Sequence, residues 1–267
     1  MRRVRALLTK ELLDLRGNPS VFLPAAIVGI VSVFLPFFVA IIVPAWAGER
    51  LADSSDFEIA LEMYQAAPGA AALDPEAAIQ AWIFQQFLIM LVLTPVASSM
   101  AVAASSVIGE KQARTLEPLL ATPLTTLELL VAKVLGAFIP ALALAAGAFA
   151  LYVAGTAVFA LPGVASILLT TRSLLIVFLL GPLAALAALQ LAVCVSSRVN
   201  DARSAQQIGA LIILPISGLL VAQITGNVVL TPSVIGIIAI VLLALNLVLL
   251  RIGIAMFDRE SILTRWK

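Results

Sequence analysis

Six separate runs of apolar residues, each long enough to cross a bilayer as a helix, constrain this chain more than any other feature. A hydrocarbon core about 30 Å thick takes about 20 mostly apolar residues per helix. Runs of that order lie at residues 21–46, 81–108, 129–152, 174–195, 205–224 and 234–257. Peptide groups find no water inside the bilayer, so an apolar segment of this length satisfies them internally, as a helix. Composition agrees: 62% of residues are hydrophobic and 12% charged, against about 25% charged in soluble domains. The expected fold is an all-α integral membrane protein, a single domain over residues 1–267 with six transmembrane helices.

An even number of crossings puts both termini on one side, and Lys and Arg identify that side, because cytoplasmic flanks carry an excess of them. Arg2, Arg3, Arg5, Lys10 and Arg16 precede the first run, and Lys111, Arg114 and Lys133 lie between the second and third. Arg198 and Arg203 separate the fourth and fifth, and Arg251, Arg259, Arg265 and Lys267 end the chain. These are fourteen of the sixteen basic residues; only Arg50 and Arg172 fall on the other side. The connection at residues 47–80 holds Glu49, Asp53, Asp56, Glu58, Glu62, Asp74 and Glu76 instead. Both termini are therefore expected in the cytoplasm and residues 47–80 outside. The first run is too long, and the charged stretch before it too extended, for a cleaved signal peptide, so it is read as a retained span.

The single cysteine, Cys194, has no disulfide partner and reads as packing. The absence of histidine removes His-ligated metal sites and His general bases. An enzyme within the membrane is disfavoured. The polar residues inside the runs are neutral: Gln85, Gln86, Thr94, Ser98, Gln190, Ser217, Gln223 and Asn246. Ion-coupled transporters usually hold intramembrane charge as the coupling device, so energy for uphill transport is expected from outside the bilayer. Gln86 and Gln223, with Phe37 and Phe38, are the candidate substrate path, since amides and aromatic rings contact a solute without formal charge.

Before the first run, Val4, Leu7, Leu8, Leu12 and Leu15 share one helical face within a basic surround. This predicts an interfacial amphipathic helix over residues 1–18, ended by Gly17-Asn18-Pro19. Glu11 points into the apolar stripe, so it either snorkels to the surface or pairs with a cation from another segment. Prolines at 24, 36, 95, 140, 182 and 215 lie within the runs; they are compatible with kinked helices around a path or with ordinary irregularity. Residues 159–171 stay apolar around Leu161-Pro162-Gly163 and read as an interfacial or re-entrant piece.

Residues 109–128 are the most informative cytoplasmic stretch. Thr115 can cap a short helix, Glu117 and Pro118 suit its first turn, and Thr122-Pro123 stops it. Leu116, Leu119 and Leu120 then share a face, and Thr125 to Glu128 forms a capping box for the next span. A two-turn helix is unstable alone, so its leucines bury against the lipid interface or a partner protein.

Lys10-Glu11-Leu12, Gly109-Glu110-Lys111 with Arg114 to Pro123, Glu128-Leu129-Leu130 with Lys133, and the tail from Phe257 to Leu263 together resemble the permease subunits of type 2 ATP-binding-cassette (ABC) exporters, including the sodium-efflux and drug-efflux branches. The resemblance implies a bacterial-type inner-membrane permease working as a homodimer or with a similar chain. It implies that residues 109–128 are a coupling segment, with Glu110, Arg114, Leu116, Glu117, Leu119 and Leu120 facing a separate cytoplasmic ATPase. ATP and magnesium belong to that partner; the chain has no phosphate-binding loop motif, and no cofactor or nucleic acid is expected on it. The competing readings are a non-transporting membrane anchor or signalling subunit of an ABC-like assembly, and a secondary transporter.

Overall fold

The computed structural model describes residues 2–17, 19–54, 57, 61, 73–112, 126–196, 204, 207 and 210–256, and among these it contains helices and turns but no strand. Helix α1 spans Arg2–Gly17. Helix α2 runs from Leu23 to Ala47. Helix α3 is built from Pro75–Phe87, a tight turn Leu88–Val92, and Leu93–Gln112. Helix α4 spans Thr126–Phe159, and the short α5 spans Val164–Leu168. Helix α6 comprises Thr171–Leu175, a wide turn Ile176–Leu180, and Gly181–Ser196. Helix α7 covers Ala210–Ile224, and α8 covers Pro232–Met256.

Five of these, α2, α3, α4, α6 and α8, are long and apolar enough to cross a membrane. The fifth apolar run, read from sequence as residues 205–224, is described as a shorter apolar helix from Ala210. The second span also differs from the sequence reading. Its helix starts at Pro75, not Ala81, because Glu76 and Gln80 are buried by specific bonds that a hydropathy count cannot register. The Glu76 carboxylate accepts the backbone N–H groups of Leu51 (3.1 Å) and Ala52 (3.0 Å). Gln80 Oε1 accepts the Leu161 N–H at 3.0 Å. Residues 75–80, assigned to the loop from sequence, thus belong to the bundle. The 159–171 piece contributes α5, which lies on the first turns of α3 with Val164 and Leu168 fully buried.

Glu76 carries a direct prediction. Charge-assisted hydrogen bonds are worth about 1.5–3 kcal/mol each, so Glu76→Ala is expected to leave the buried Leu51 amide unpaired and abolish hydrogen-exchange protection at Leu51 and Ala52. Glu76→Gln retains one carbonyl acceptor and should lose protection at only one of the two.

The register of the bundle follows from side-chain bonds. Ser32 Oγ donates to the Met90 carbonyl (3.0 Å), and the Phe37 and Phe84 rings meet edge-on at 4.9 Å, so α2 and α3 are antiparallel. Tyr152 Oη donates to the Phe84 carbonyl at 2.8 Å, and Lys133 meets Ser106 at the other end, so α3 and α4 are antiparallel too. Helix α6 runs parallel to α3, through Arg172 with Gln85 and Ala185 with Ser99. Helix α8 runs parallel to α6: Asn246 Nδ2 donates to the Leu183 carbonyl at 3.0 Å, Gln190 Nε2 donates to Asn246 Oδ1 at 3.1 Å, and further along both helices Cys194 Sγ meets the Leu249 carbonyl at 4.0 Å. Helix α3 is the axis of the molecule. In its most apolar stretch 83% is buried by protein, against 22% for α2 and α8, which leave Phe34, Trp46, Ile237 and Ile240 exposed.

The prolines shape turns without breaking spans. Two wide turns each stand directly before a proline: the Val43 N–H reaches Phe38 O ahead of Pro44, and the Gly181 N–H reaches Ile176 O ahead of Pro182. Wide turns of this kind absorb a lost backbone donor. Pro140 sits in the continuous helix α4. Gly155 admits the Phe37 ring against α4; a Cβ there would stand 2.7 Å from Phe37 Cζ.

Candidate functional site

Leu7 and Glu11 are one helical turn apart on α1, and both are buried, at 7% and 6% exposure. A leucine on that face is expected from its amphipathic pattern; a carboxylate requires partners, because an unpaired buried charge is costly. Ser106, near the C-terminal end of α3, donates its Oγ hydrogen to Glu11 Oε2 at 2.7 Å. Lys133, in the early turns of α4, donates from Nζ to Glu11 Oε1 at 3.3 Å and to Ser106 Oγ at 3.0 Å. Its own exposure is 3%. The ammonium has both partners in reach, and the serine hydroxyl accepts from one and donates to the other. Lys10, more exposed, stands 3.6 Å from Glu11 Oε1 and 3.5 Å from Asp14 Oδ2.

This close approach depends on Gly136. A Cβ at that position would lie 2.9 Å from Glu11 Cβ, so only glycine lets α1 settle onto α4 at this height. The result is a three-way junction: α1 is held to the stem that leads into residues 109–128 and to the stem that leads out of them. Of the two arrangements open to Glu11 from sequence, the structure has the ion pair with another segment. Ser106 and Lys133 were not singled out as its partners. The only available signal was a carboxylate on an apolar stripe, which states a need without naming who meets it.

Of the coupling residues, Arg114, Leu116, Glu117, Leu119 and Leu120 lie outside the described residues. Glu110 is within α3, but its side chain is outside them as well.

At the opposite end, the candidate substrate-path residues divide into three. Gln223, 2% exposed on α7, donates from Nε2 to Gln86 Oε1 on α3 at 2.8 Å, so these two are brought together. Phe37 instead joins an edge-on cluster with Phe84 (4.9 Å) and Tyr152 (5.8 Å), part of the packed core. Phe38 points outward at 51% exposure. Alternation around a helix explains the split: consecutive residues face directions about 100° apart. Beside the glutamine pair, Arg172 Nη1 donates to Gln85 Oε1 at 3.3 Å. Among the described residues no group of three or more His, Cys, Asp and Glu is placed to hold a metal ion.

Within the membrane-crossing segments of the five long helices the charged residues are Glu76, Lys133, Arg172 and Arg251, all near segment ends, and the middle of the bundle is apolar with neutral amides and hydroxyls. That is the layout of a multi-pass membrane protein. No curated protein and no solved structure matches the chain. The family described as ABC-2 family transporter protein matches residues 64–249, a stretch that runs from before α3 into the second half of α8. With that match covering most of its length, and a helical bundle of membrane-crossing segments beneath it, the chain belongs to the ABC-2 family of transporter proteins.

Proposed function

We propose that this chain is the membrane-spanning permease subunit of an ABC exporter, moving a solute by alternating access driven by a separate cytoplasmic ATPase. The observation that carries the proposal is the Glu11–Ser106–Lys133 junction. It ties α1 to both stems of residues 109–128, the segment on which the ATPase docks in this reading. A coupling element has to transmit displacement, and a buried, fully bonded junction at its base moves as a unit with the helices it joins.

In this reading the end with the junction is cytoplasmic, in accord with the excess of Lys and Arg on its connections, and α1 lies on the inner leaflet. The chain crosses six times. The parallel course of α6 and α8 supports this, since the intervening chain has to return across the membrane, and α7 provides the return. The ATPase holds ATP and magnesium. Gln86 and Gln223 contact the solute, and two copies of this chain, or this chain with a similar one, form the path in a bacterial-type cytoplasmic membrane. The motif at residues 109–133 resembles permeases that include the sodium-efflux and drug-efflux branches.

The test is purification of the tagged chain from its native membrane in mild detergent with mass spectrometry of what accompanies it. A stoichiometric ABC-type ATPase is expected. Its repeated absence from preparations in which the chain stays folded would overturn the proposal.

A further inference from the structure

Arg172 lies in the first turn of α6, inside a segment apolar enough to cross the membrane, yet its guanidinium is turned toward α3. Arginine stays charged under all physiological conditions, and a charge at membrane depth is usually paired with one of opposite sign. Here the partner is the neutral Gln85 Oε1, at 3.3 Å. No ion pair involves Arg172 among the described residues, and its Nε is buried with no hydrogen-bond partner. One position further along α3, Gln86 accepts from the buried Gln223 of α7, whose own Oε1 is unpartnered. Buried polar atoms left unmet are rare and point to a missing partner.

A turn further into the bundle, Ile89 and Ile176 belong to one apolar cluster with Leu230 and Ile235, all at most 2% exposed. The guanidinium therefore stands at the boundary where packed apolar side chains end. The connection at this end of the molecule carries Glu49, Asp53, Asp56, Glu58, Glu62, Asp74 and Glu76 against Arg50, with Asp56, Glu58 and Glu62 outside the described residues. Glu76 is engaged by the Leu51 and Ala52 amides, and Asp74 lies 3.5 Å from Arg50, so neither is Arg172's counter-ion.

We infer that Arg172, with Gln85 beside it, is a binding position for an anionic oxygen group of the phosphate or carboxylate class. Such a group accepts from Nε and a terminal nitrogen together, the forked geometry for which arginine is suited. Two sources share this chemistry: the headgroup of an anionic lipid, and an anionic solute. The inference concerns binding alone and stands whether or not the chain is an exporter.

The experiment uses the full-length protein with Trp46→Phe and Trp266→Phe, leaving Trp82, one turn from Gln85 on α3, as the fluorescent reporter. It is reconstituted in nanodiscs of phosphatidylcholine, with or without phosphatidylglycerol, and the phosphatidylcholine discs are titrated with inorganic phosphate or dodecyl phosphate. A saturable emission change is expected, weakened at least about tenfold by Arg172→Gln, which removes charge-assisted bonds. Arg172→Lys keeps the charge without the fork and should fall between the two, which also shows that loss in the glutamine variant is not misfolding. A response to phosphatidylglycerol or dodecyl phosphate without one to inorganic phosphate assigns the site to lipid, and a response to inorganic phosphate in phosphatidylcholine assigns it to a solute anion. No response to any probe, or equal responses in wild type and Arg172→Gln, would overturn the inference.

Discussion

Lys133→Met is expected to lower the stability of the protein by about 3 kcal/mol or more, the range found when one partner of a buried ion pair is removed. Methionine fills nearly the same volume, so the loss comes from the Glu11 carboxylate, left 6% exposed with its buried cation gone. Ser106 still donates to it at 2.7 Å, and Lys10 stands 3.6 Å from the same carboxylate, which places the effect at the lower end of the range. The double variant Glu11→Leu with Lys133→Met removes both charges, and apolar replacement of a whole buried pair is often neutral or stabilising. It should therefore recover most of the loss. Thermal midpoints of the purified protein in one detergent check this, and simple addition of the two single-variant losses would show that the pair is not coupled.

The second large effect concerns the ATPase. Leu119→Asp is expected to abolish stimulation of the partner ATPase while leaving membrane insertion and the amount of folded protein unchanged. Burying one leucine contributes roughly 1.5–3 kcal/mol, and placing a carboxylate in the same apolar contact adds a desolvation cost of similar or greater size. Together these weaken the complex by about a hundredfold or more. Leu119 lies outside the described residues, and the expectation rests on the shared face of Leu116, Leu119 and Leu120 together with the junction at the base of their segment. Normal ATPase stimulation and transport in this variant would remove residues 109–128 from the coupling role.

The two variants separate the parts of the proposal. Lys133→Met tests whether α1 and the two stems are one mechanical unit; Leu119→Asp tests whether that unit engages a partner. A protein stable in the second and inactive, but destabilised in the first, is the expected pattern.

Membrane residence and most helix positions were legible in the sequence because they depend on local, additive quantities. A run of apolar residues is favourable in the bilayer whatever lies beside it. The long helices α2, α3, α4, α6 and α8 accordingly coincide with five of the apolar runs, with shifts at their ends. The shifts are informative: α3 extends back to Pro75 because Glu76 and Gln80 are matched to backbone groups of Leu51, Ala52 and Leu161, far away in sequence. The helix over Arg2–Gly17 and the isolated carboxylate on it were legible for the same local reason.

Pairing was not legible, because a hydrogen bond depends on two positions whose separation in space the sequence does not state. Glu11 and Lys133 are 122 residues apart, and Gln86 and Gln223 are 137 apart. Phe37 and Phe38 carried the same expectation by residue type, and only the direction of each side chain on α2 sent one into the aromatic core and the other outward. Arg172, counted from sequence as a flanking cation, turns inward to Gln85 because α6 runs parallel to α3 at that height. The sequence by itself determined that this chain lives in a membrane, where its helices lie, and that Glu11 needed a partner, since each follows from hydropathy and periodicity. The tertiary structure alone decided which groups meet, because distance and direction arise only once the helices have packed.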